Sequence, residues 1–334
     1  MNLSPVFLTA PRYVLGEIEE PYTAVEGLAA RVAHFAIPMA PATWGWGSFF
    51  RTERTPAELA VASGEATLAA AGVERDSVDG LILCTNSFPR SVDDHAGFVG
   101  AVLDGLGLRK TAFTCGMTLN RCNNLLAALH LARCLVAAGG HRRVLVVTAD
   151  RIADESVRLE KFALFSDGAA SCLVSADEPG PDTFAVLASA SAQDPAVLGV
   201  RDQIDARLAI AVNEELERAT GIPHEKVAAL LPANLVRPLI TMKERQAGFT
   251  AAQLRMGNVE RLGHCFAADP VINLADLVAS GEAEPDGLCL LASSVPGVRH
   301  GVLLRKVPGP GATPRVTSKE TDRMNTGTAT EVRP

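Results

Sequence analysis

The chain has 334 residues, 48% of them hydrophobic, and a formal net charge of -7. That is enough to bury a large core, as one big domain or two fused halves, whereas an acidic chain without a Lys/Arg block is a poor match for nucleic acid or an anionic membrane. No apolar run reaches the roughly 20 residues of a spanning helix, the start MNLSPVFLTAPRYVLGEIEE lacks signal-peptide regions, and seven scattered cysteines without a CxxC pair argue against a disulfide framework or structural zinc.

In chain order, an irregular loop around Trp44–Arg54 (WGWGSFFRTER) holds both tryptophans and two arginines. It reads as a packed loop or a ligand-binding one. Pro56–Ala71 is a helical pattern that stops near Gly72. Val78–Cys84 (VDGLILC) and Arg143–Thr148 (RVLVVT) are short apolar runs bounded by polar residues, as buried strands of a layered α/β sheet are. Between them, Asn123–Ala138 is a Leu/Ala helix, apolar nearly all round and therefore buried, closed by Gly139-Gly140. Phe165–Val174 reads as a turn feeding a strand.

The second half repeats this plan. Val227–Leu231 is a strand candidate, Pro270–Ala279 a helix following Gly263-His264, and Gly287–Ala292 and Gly301–Val307 two further strands. A strand–helix–strand–strand unit used twice suggests a duplicated α/β architecture, divided as 1–178 and 179–307. The remainder, 308–334, is Pro, Gly, Thr and charge and reads as a disordered tail.

Cys122 lies just before the buried helix, in Leu119-Asn120-Arg121-Cys122-Asn123-Asn124. A thiol there meets the positive end of the helix dipole and unpaired amides, which stabilise a thiolate and can hold an oxyanion. By position alone it also fits a buried structural cysteine. His264 stands five residues before Asp269. The carboxylate can engage one ring nitrogen and leave the other free as a general base. Asp269 alone also fits a helix cap before Pro270. If the repeats are related by a pseudo-dyad, both helix starts meet at one point, which brings Cys122, His264 and Asp269 together. Cys115 is the rival nucleophile. His300 reads as a surface turn residue, and Asp94 and His95 as interface residues.

Cys122 through Asp150, the Phe165-Ser166-Asp167-Gly168-Ala169-Ala170 turn, Gly263 with its helix, and Leu290–Gly301 resemble, in the right order, segments of ketoacyl synthase III. The resemblance covers about residues 5–307. It implies a thiolase fold: two pseudo-duplicated βαβαβ halves in αβαβα layers. It implies that the backbone amides of Cys122 and Gly297 form an oxyanion hole. A decarboxylating member carries a His in a P-H-Q-A-N-type motif, where this chain has Pro232-Ala233-Asn234, and an Asn where this chain has His264. His264 with Asp269 resembles the acyltransferase branch of antibiotic pathways.

The expected activity is transfer of an acyl group from an acyl-carrier-protein or coenzyme A thioester, through Cys122, to a hydroxyl or amine of a small-molecule acceptor in natural-product biosynthesis. The competing expectations are carbon–carbon condensation by a Cys–His dyad and a degenerate, inactive partner subunit. Asn234 is a further polar site candidate. Trp46, Arg51 and Arg54 are candidates for contacting the donor's coenzyme A or phosphopantetheine arm. Loops Asp150–Phe165 and Gln193–Glu215 are expected to shape the pocket. The resemblance implies a homodimer; a cytoplasmic location is expected, with no permanently bound cofactor and no metal.

Overall fold

Along the segment Gly80–Cys84, Leu81 and Leu83 pack to one side and Ile82 and Cys84 to the other. This is the period-two alternation of a strand with two covered faces. In the computed structural model, which describes residues 4–89, 91–108, 113–177, 180, 182–198, 200 and 205–308, nine strands form one sheet. They are β1 (Phe7–Leu15), β2 (Gly80–Cys84), β3 (Phe113–Met117), β4 (Arg143–Asp150), β5 (Gly168–Ser175), β6 (Thr183–Gln193), β7 (Ala229–Pro232), β8 (Leu288–Val295) and β9 (Val298–Lys306). Six longer helices accompany it: α1 (Pro56–Ala71), α2 (Val92–Leu106), α3 (Asn124–Ala137), α4 (Ala206–Thr220), α5 (Arg237–Gln246) and α6 (Asp269–Ala279). From Gly309 onward the expected tail lies outside the described residues.

The strand order is β7-β8-β9-β6-β1-β5-β4-β2-β3. β2 and β4 are parallel, β4 and β5 antiparallel, β5 and β1 antiparallel. In the second half β7 and β8 are parallel, β8 and β9 antiparallel, β9 and β6 antiparallel. The same unit is thus built twice. The halves join where β1 meets β6, through Phe7↔Ala185, Leu8↔Phe184 and Thr9↔Thr183.

Packing makes the layers explicit. α1 and α2 cover one face of the first half through Leu59, Leu68, Val102 and Leu106, against Leu81 and Leu145. α4 covers the outer face of the second through Ala209, Val212 and Leu216, against Leu290 and Leu303. The inner faces share one core in which Leu125, Leu129 and Ala132 of α3 lie with Val271, Ile272 and Leu274 of α6. α3 and α6 are thus sandwiched between the two half-sheets, which is why α3 is apolar nearly all round and α6 is polar only along Asp269, Asn273 and Asp276. The duplicated, layered α/β plan expected from the sequence is the one observed.

Candidate active site

The start of each central helix is shaped by residues forced off ordinary backbone geometry. Before α3, Arg121 takes a left-handed φ of 53°. Such strain in a non-glycine residue persists when surrounding contacts hold it. Here the Asn124 side chain accepts from the Asn120 amide at 3.0 Å, and Arg121 Nη2 donates to the Pro296 carbonyl at 2.9 Å. Cys122 follows in a 3-10 turn, Arg121–Asn123, that leads into α3. Its sulfur is half-buried, at the positive end of the helix.

Before α6, Gly263 has a φ of +67°, and a Cβ there would sit 2.7 Å from the Leu164 carbonyl oxygen. Glycine permits this approach. His264 then pairs with the turn opposite: its amide donates to Leu164 O at 2.8 Å, and Ser166 N donates to its carbonyl at 2.9 Å. Asp167 braces that turn, accepting from Ile152 N at 2.8 Å and from the buried Arg158 guanidinium at 2.7 Å. The imidazole lies against Phe165 and Phe266, with ring centroids 5.0 and 5.9 Å away.

These two helix starts bring three side chains into a line. His264 Nε2 is 3.3 Å from Cys122 Sγ, and His264 Nδ1 is 2.5 Å from Asp269 Oδ2. His264 and Asp269 are both 0% exposed. Asp269 is the first residue of α6, whose N-cap is Ala268. Its Oδ2 also accepts from Asn234 N at 2.6 Å; its Oδ1 accepts from Cys265 N at 2.7 Å and Asn234 Nδ2 at 3.3 Å. Every neighbour of the carboxylate is a donor, an arrangement that suits the ionised form. Burial pulls the His264 pKa down, but Asp269 and the Cys122 sulfur outweigh it and hold it up, at about 10. A protonated imidazole held against Sγ is the natural partner of a thiolate.

Cys122 and His264 open into a cavity of about 620 Å³. Its walls are mostly apolar, with Trp44, Phe162, Leu235, Leu239, Met242 and Val295 among them. Both loops expected to shape the pocket contribute, through Val157, Glu160, Lys161 and Phe162 and through Val200. Such a concave, apolar space with few polar groups is the usual form of a small-ligand site.

The family model for 3-oxoacyl-[acyl-carrier-protein] synthase III matches residues 118–195, a stretch that holds Cys122, β4 and the turn into β5. A β-ketoacyl-[acyl-carrier-protein] synthase III of Synechococcus elongatus is 38% identical over 123 residues, 36% of this chain and 35% of that enzyme. The match therefore spans about a third of that curated relative's length. One from Streptococcus equi subsp. equi is 24% identical over 286 residues, 77% of this chain and 86% of that enzyme. Among solved structures, ChlB3, described as an acyltransferase, superimposes with a TM-score of 0.76 at 18% identity, covering 91% of this chain and 98% of ChlB3. This chain has the thiolase fold, and its residues 118–195 are similar to the synthase III family.

Within this synthase-III-like frame the remaining expected site residues fall in different places. Asn234 is buried behind Asp269, and its Oδ1 accepts from Asn273 Nδ2 at 3.1 Å, so it acts on the carboxylate and does not line the cavity. Gly297 has a φ of +77° in the turn between β8 and β9. That turn is tied to Cys122 on both sides: Asn123 Nδ2 donates to Val298 O at 3.3 Å, and Ser293 Oγ donates to Cys122 O at 3.2 Å.

Three expected donor contacts need correction. Trp46 is 4% exposed, packed in a cluster with Val25, Val32 and Phe49, and does not line the cavity. Gly45, left-handed at φ 80°, turns the chain so that Trp44 faces the cavity instead. Arg51 pairs with Glu20 at 2.9 Å and Arg54 with Glu17 at 3.7 Å, and neither lines the cavity. Loop position alone does not reveal such pairing. Cys115 lies on the edge strand β3 and His300 on β9, both away from the cavity. Asp94 is occupied by Ser91 at the start of α2, and the His95 ring meets the Pro89 carbonyl. Among the described residues, no His, Cys, Asp and Glu group is arranged to hold a metal ion, and no helix is long and apolar enough to cross a membrane.

Proposed function

We propose that this chain is an acyltransferase that carries its acyl group as a thioester on Cys122 and passes it to a hydroxyl or amine. The observation that carries this reading is the linear contact from Cys122 Sγ to His264 Nε2 at 3.3 Å and from His264 Nδ1 to Asp269 at 2.5 Å. Proton transfer from Sγ to Nε2 leaves a thiolate beside an imidazolium whose charge Asp269 balances. The thiolate attacks the donor's thioester carbonyl, the oxyanion is held by the backbone amides of Cys122 and Gly297, and the carrier thiol leaves with the imidazolium proton. In the second half-reaction neutral His264 takes the acceptor's O–H or N–H proton as that atom attacks the acyl carbon. Expulsion of the Cys122 thiolate restores the starting ion pair.

The donor is an acyl-carrier-protein or coenzyme A thioester, by likeness to the carrier-protein synthases that the chain matches. The acceptor is a small molecule of natural-product biosynthesis, and the enzyme works in the cytoplasm. We also propose a homodimer, supported by the free side of edge strand β3 and by the exposed apolar side chains of Leu119 and Val92, 92% and 81% accessible.

Carbon–carbon condensation is the second reading, favoured by the description of the matched family model. It is weakened by Ala233, which offers no imidazole, and by Asn234, whose side chain is engaged by Asp269 and Asn273. Mass spectrometry after incubation with acyl thioesters tests both readings. A mass gain on Cys122, followed by an O- or N-acyl product without carbon dioxide, supports transfer. Carbon dioxide release from a malonyl thioester with a C–C product overturns it in favour of condensation. No mass gain with any thioester points to an inactive partner subunit.

A further inference from the structure

One wall of the cavity carries a polar group that the acyl-transfer chemistry does not use. Ser294, next to last in β8, lines the same cavity as Cys122 and His264. Behind it lies a buried charge cluster. Lys243 and Glu244 come from α5 and Arg299 from β9, directly across from Ser294 in the strand pairing. Lys243 is 3% exposed, Glu244 and Arg299 0%. Arg299 binds Glu244 with both terminal nitrogens, at 2.7 and 3.0 Å, and Lys243 Nζ lies 3.0 Å from the same carboxylate. The cluster holds two cations against one carboxylate, so positive charge remains uncompensated behind the wall.

The hydroxyl of Ser294 connects that cluster to the cavity. Its oxygen accepts from Lys243 Nζ at 3.1 Å and from Arg299 Nη1 at 3.0 Å. A serine hydroxyl has two acceptor positions and one proton. Two cationic donors fill the acceptor positions, so the proton points elsewhere. Among the described residues no acceptor for it is found. Donation from two cations also polarises the O–H bond and makes it a stronger donor.

We propose that Ser294 is a substrate-binding residue whose hydroxyl donates to a carboxylate or carbonyl oxygen of the molecule filling the cavity, with Lys243 and Arg299 as its positioning residues. This rests on the same cavity being the acyl-transfer site. The oxygen belongs either to the distal end of the acyl chain or to the acceptor. Mostly apolar walls with few polar groups, Arg121, Glu160 and Lys161 beside Ser294, suit a largely apolar molecule bearing one such oxygen away from the reacting carbonyl.

Two experiments distinguish the sources. In the first, Cys122 acylation is timed by mass spectrometry with paired coenzyme A thioesters of equal chain length, butyryl against succinyl through heptanoyl against pimeloyl, for wild type and Ser294→Ala. In the second, calorimetry compares binding of 3-phenylpropionate and 3-phenylpropylamine to the same proteins. A drop of about tenfold in the preference for the ω-carboxylated thioester in Ser294→Ala, the effect of losing a hydrogen bond to a charged group, assigns the oxygen to the acyl chain. A similar drop for phenylpropionate alone assigns it to the acceptor. Ser294→Cys, which keeps the shape with a weaker donor, gives an intermediate loss in whichever experiment responds and serves if the alanine variant does not fold. Unchanged preferences in both experiments overturn the proposal. Failure of every thioester to acylate wild-type Cys122 overturns the acyl-transfer reading, while the calorimetric comparison still tests the binding role.

Discussion

Replacing Asp269 by asparagine isolates what the carboxylate does. Its Oδ2 receives His264 Nδ1 and Asn234 N, and its Oδ1 receives Cys265 N and Asn234 Nδ2. An asparagine amide must present its NH₂ to one of these pairs, so either rotamer sets donor against donor. With NH₂ toward His264, the ring must carry its proton on Nε2, and the base facing Cys122 is lost. With NH₂ toward Cys265, a buried backbone N–H loses its acceptor, costing about 1–3 kcal/mol. In both cases the imidazolium loses its counter-charge. Breaking a buried ion pair costs about 3–5 kcal/mol, or between about two and four orders of magnitude in rate at 1.4 kcal/mol per tenfold. The assay is quenched-flow acylation of Cys122, with iodoacetamide alkylation measured across pH on the same variant. Acylation should fall by that factor, and alkylation near pH 7 should slow and recover at higher pH. An Asp269→Asn protein that remains folded, acylates within about tenfold of wild type and keeps the wild-type alkylation profile would refute the proposed role of the carboxylate, since the orientation and charge effects invoked are each larger than that.

Two further outcomes follow from the buried charges. Arg158→Met removes the guanidinium that Asp167 and Glu155 bind at 2.7 and 2.6 Å; it should lower stability by about 3–5 kcal/mol in urea unfolding and loosen the turn that holds His264. Stability should also fall at both pH extremes. The His264 pKa is raised from 6.5 to about 10, burial being outweighed by Asp269, so its contribution is full below pH 6.5 and lost as pH rises through about 10. Glu244 is lowered from 4.5 to about 2, its burial being outweighed by Arg299 and Lys243, so its contribution is present above pH 4.5 and lost as pH falls toward 2. Thermal melts across pH should show Asp269→Asn flattening the alkaline limb and Glu244→Gln the acid limb.

Much of this architecture was legible in the chain itself. VDGLILC and RVLVVT became β2 and β4, and the Leu/Ala run became α3 within one residue at each end of the expected span. The helix over Pro56–Ala71 matched at both ends, where Thr55 and Glu58 form a capping box and Gly72 closes the last turn. These signals are local: side-chain period, caps and glycine stops are written in neighbouring residues. β1 and β6 were not singled out, although they join the two halves. β1 includes Pro11, Arg12 and a shift in strand register between Thr9 and Arg12 that interrupt its apolar pattern, and the small residues of β6 give weak alternation.

The sequence by itself determined the two α/β halves, the helix starts that carry Cys122 and Asp269, and the spacing that lets Asp269 reach His264. Tertiary structure decided which polar groups face the cavity. Lys243 and Glu244 stand in RPLITMKERQ, which has the composition of a solvated helix, yet both are buried; the Glu244 charge is offset by Lys243 beside it and by Arg299, 55 residues beyond Glu244. Trp44 rather than Trp46 lines the pocket because the left-handed Gly45 turns the chain between them. A charge enters a protein interior only where partners offset its desolvation, and those partners come from stretches of chain far apart in sequence.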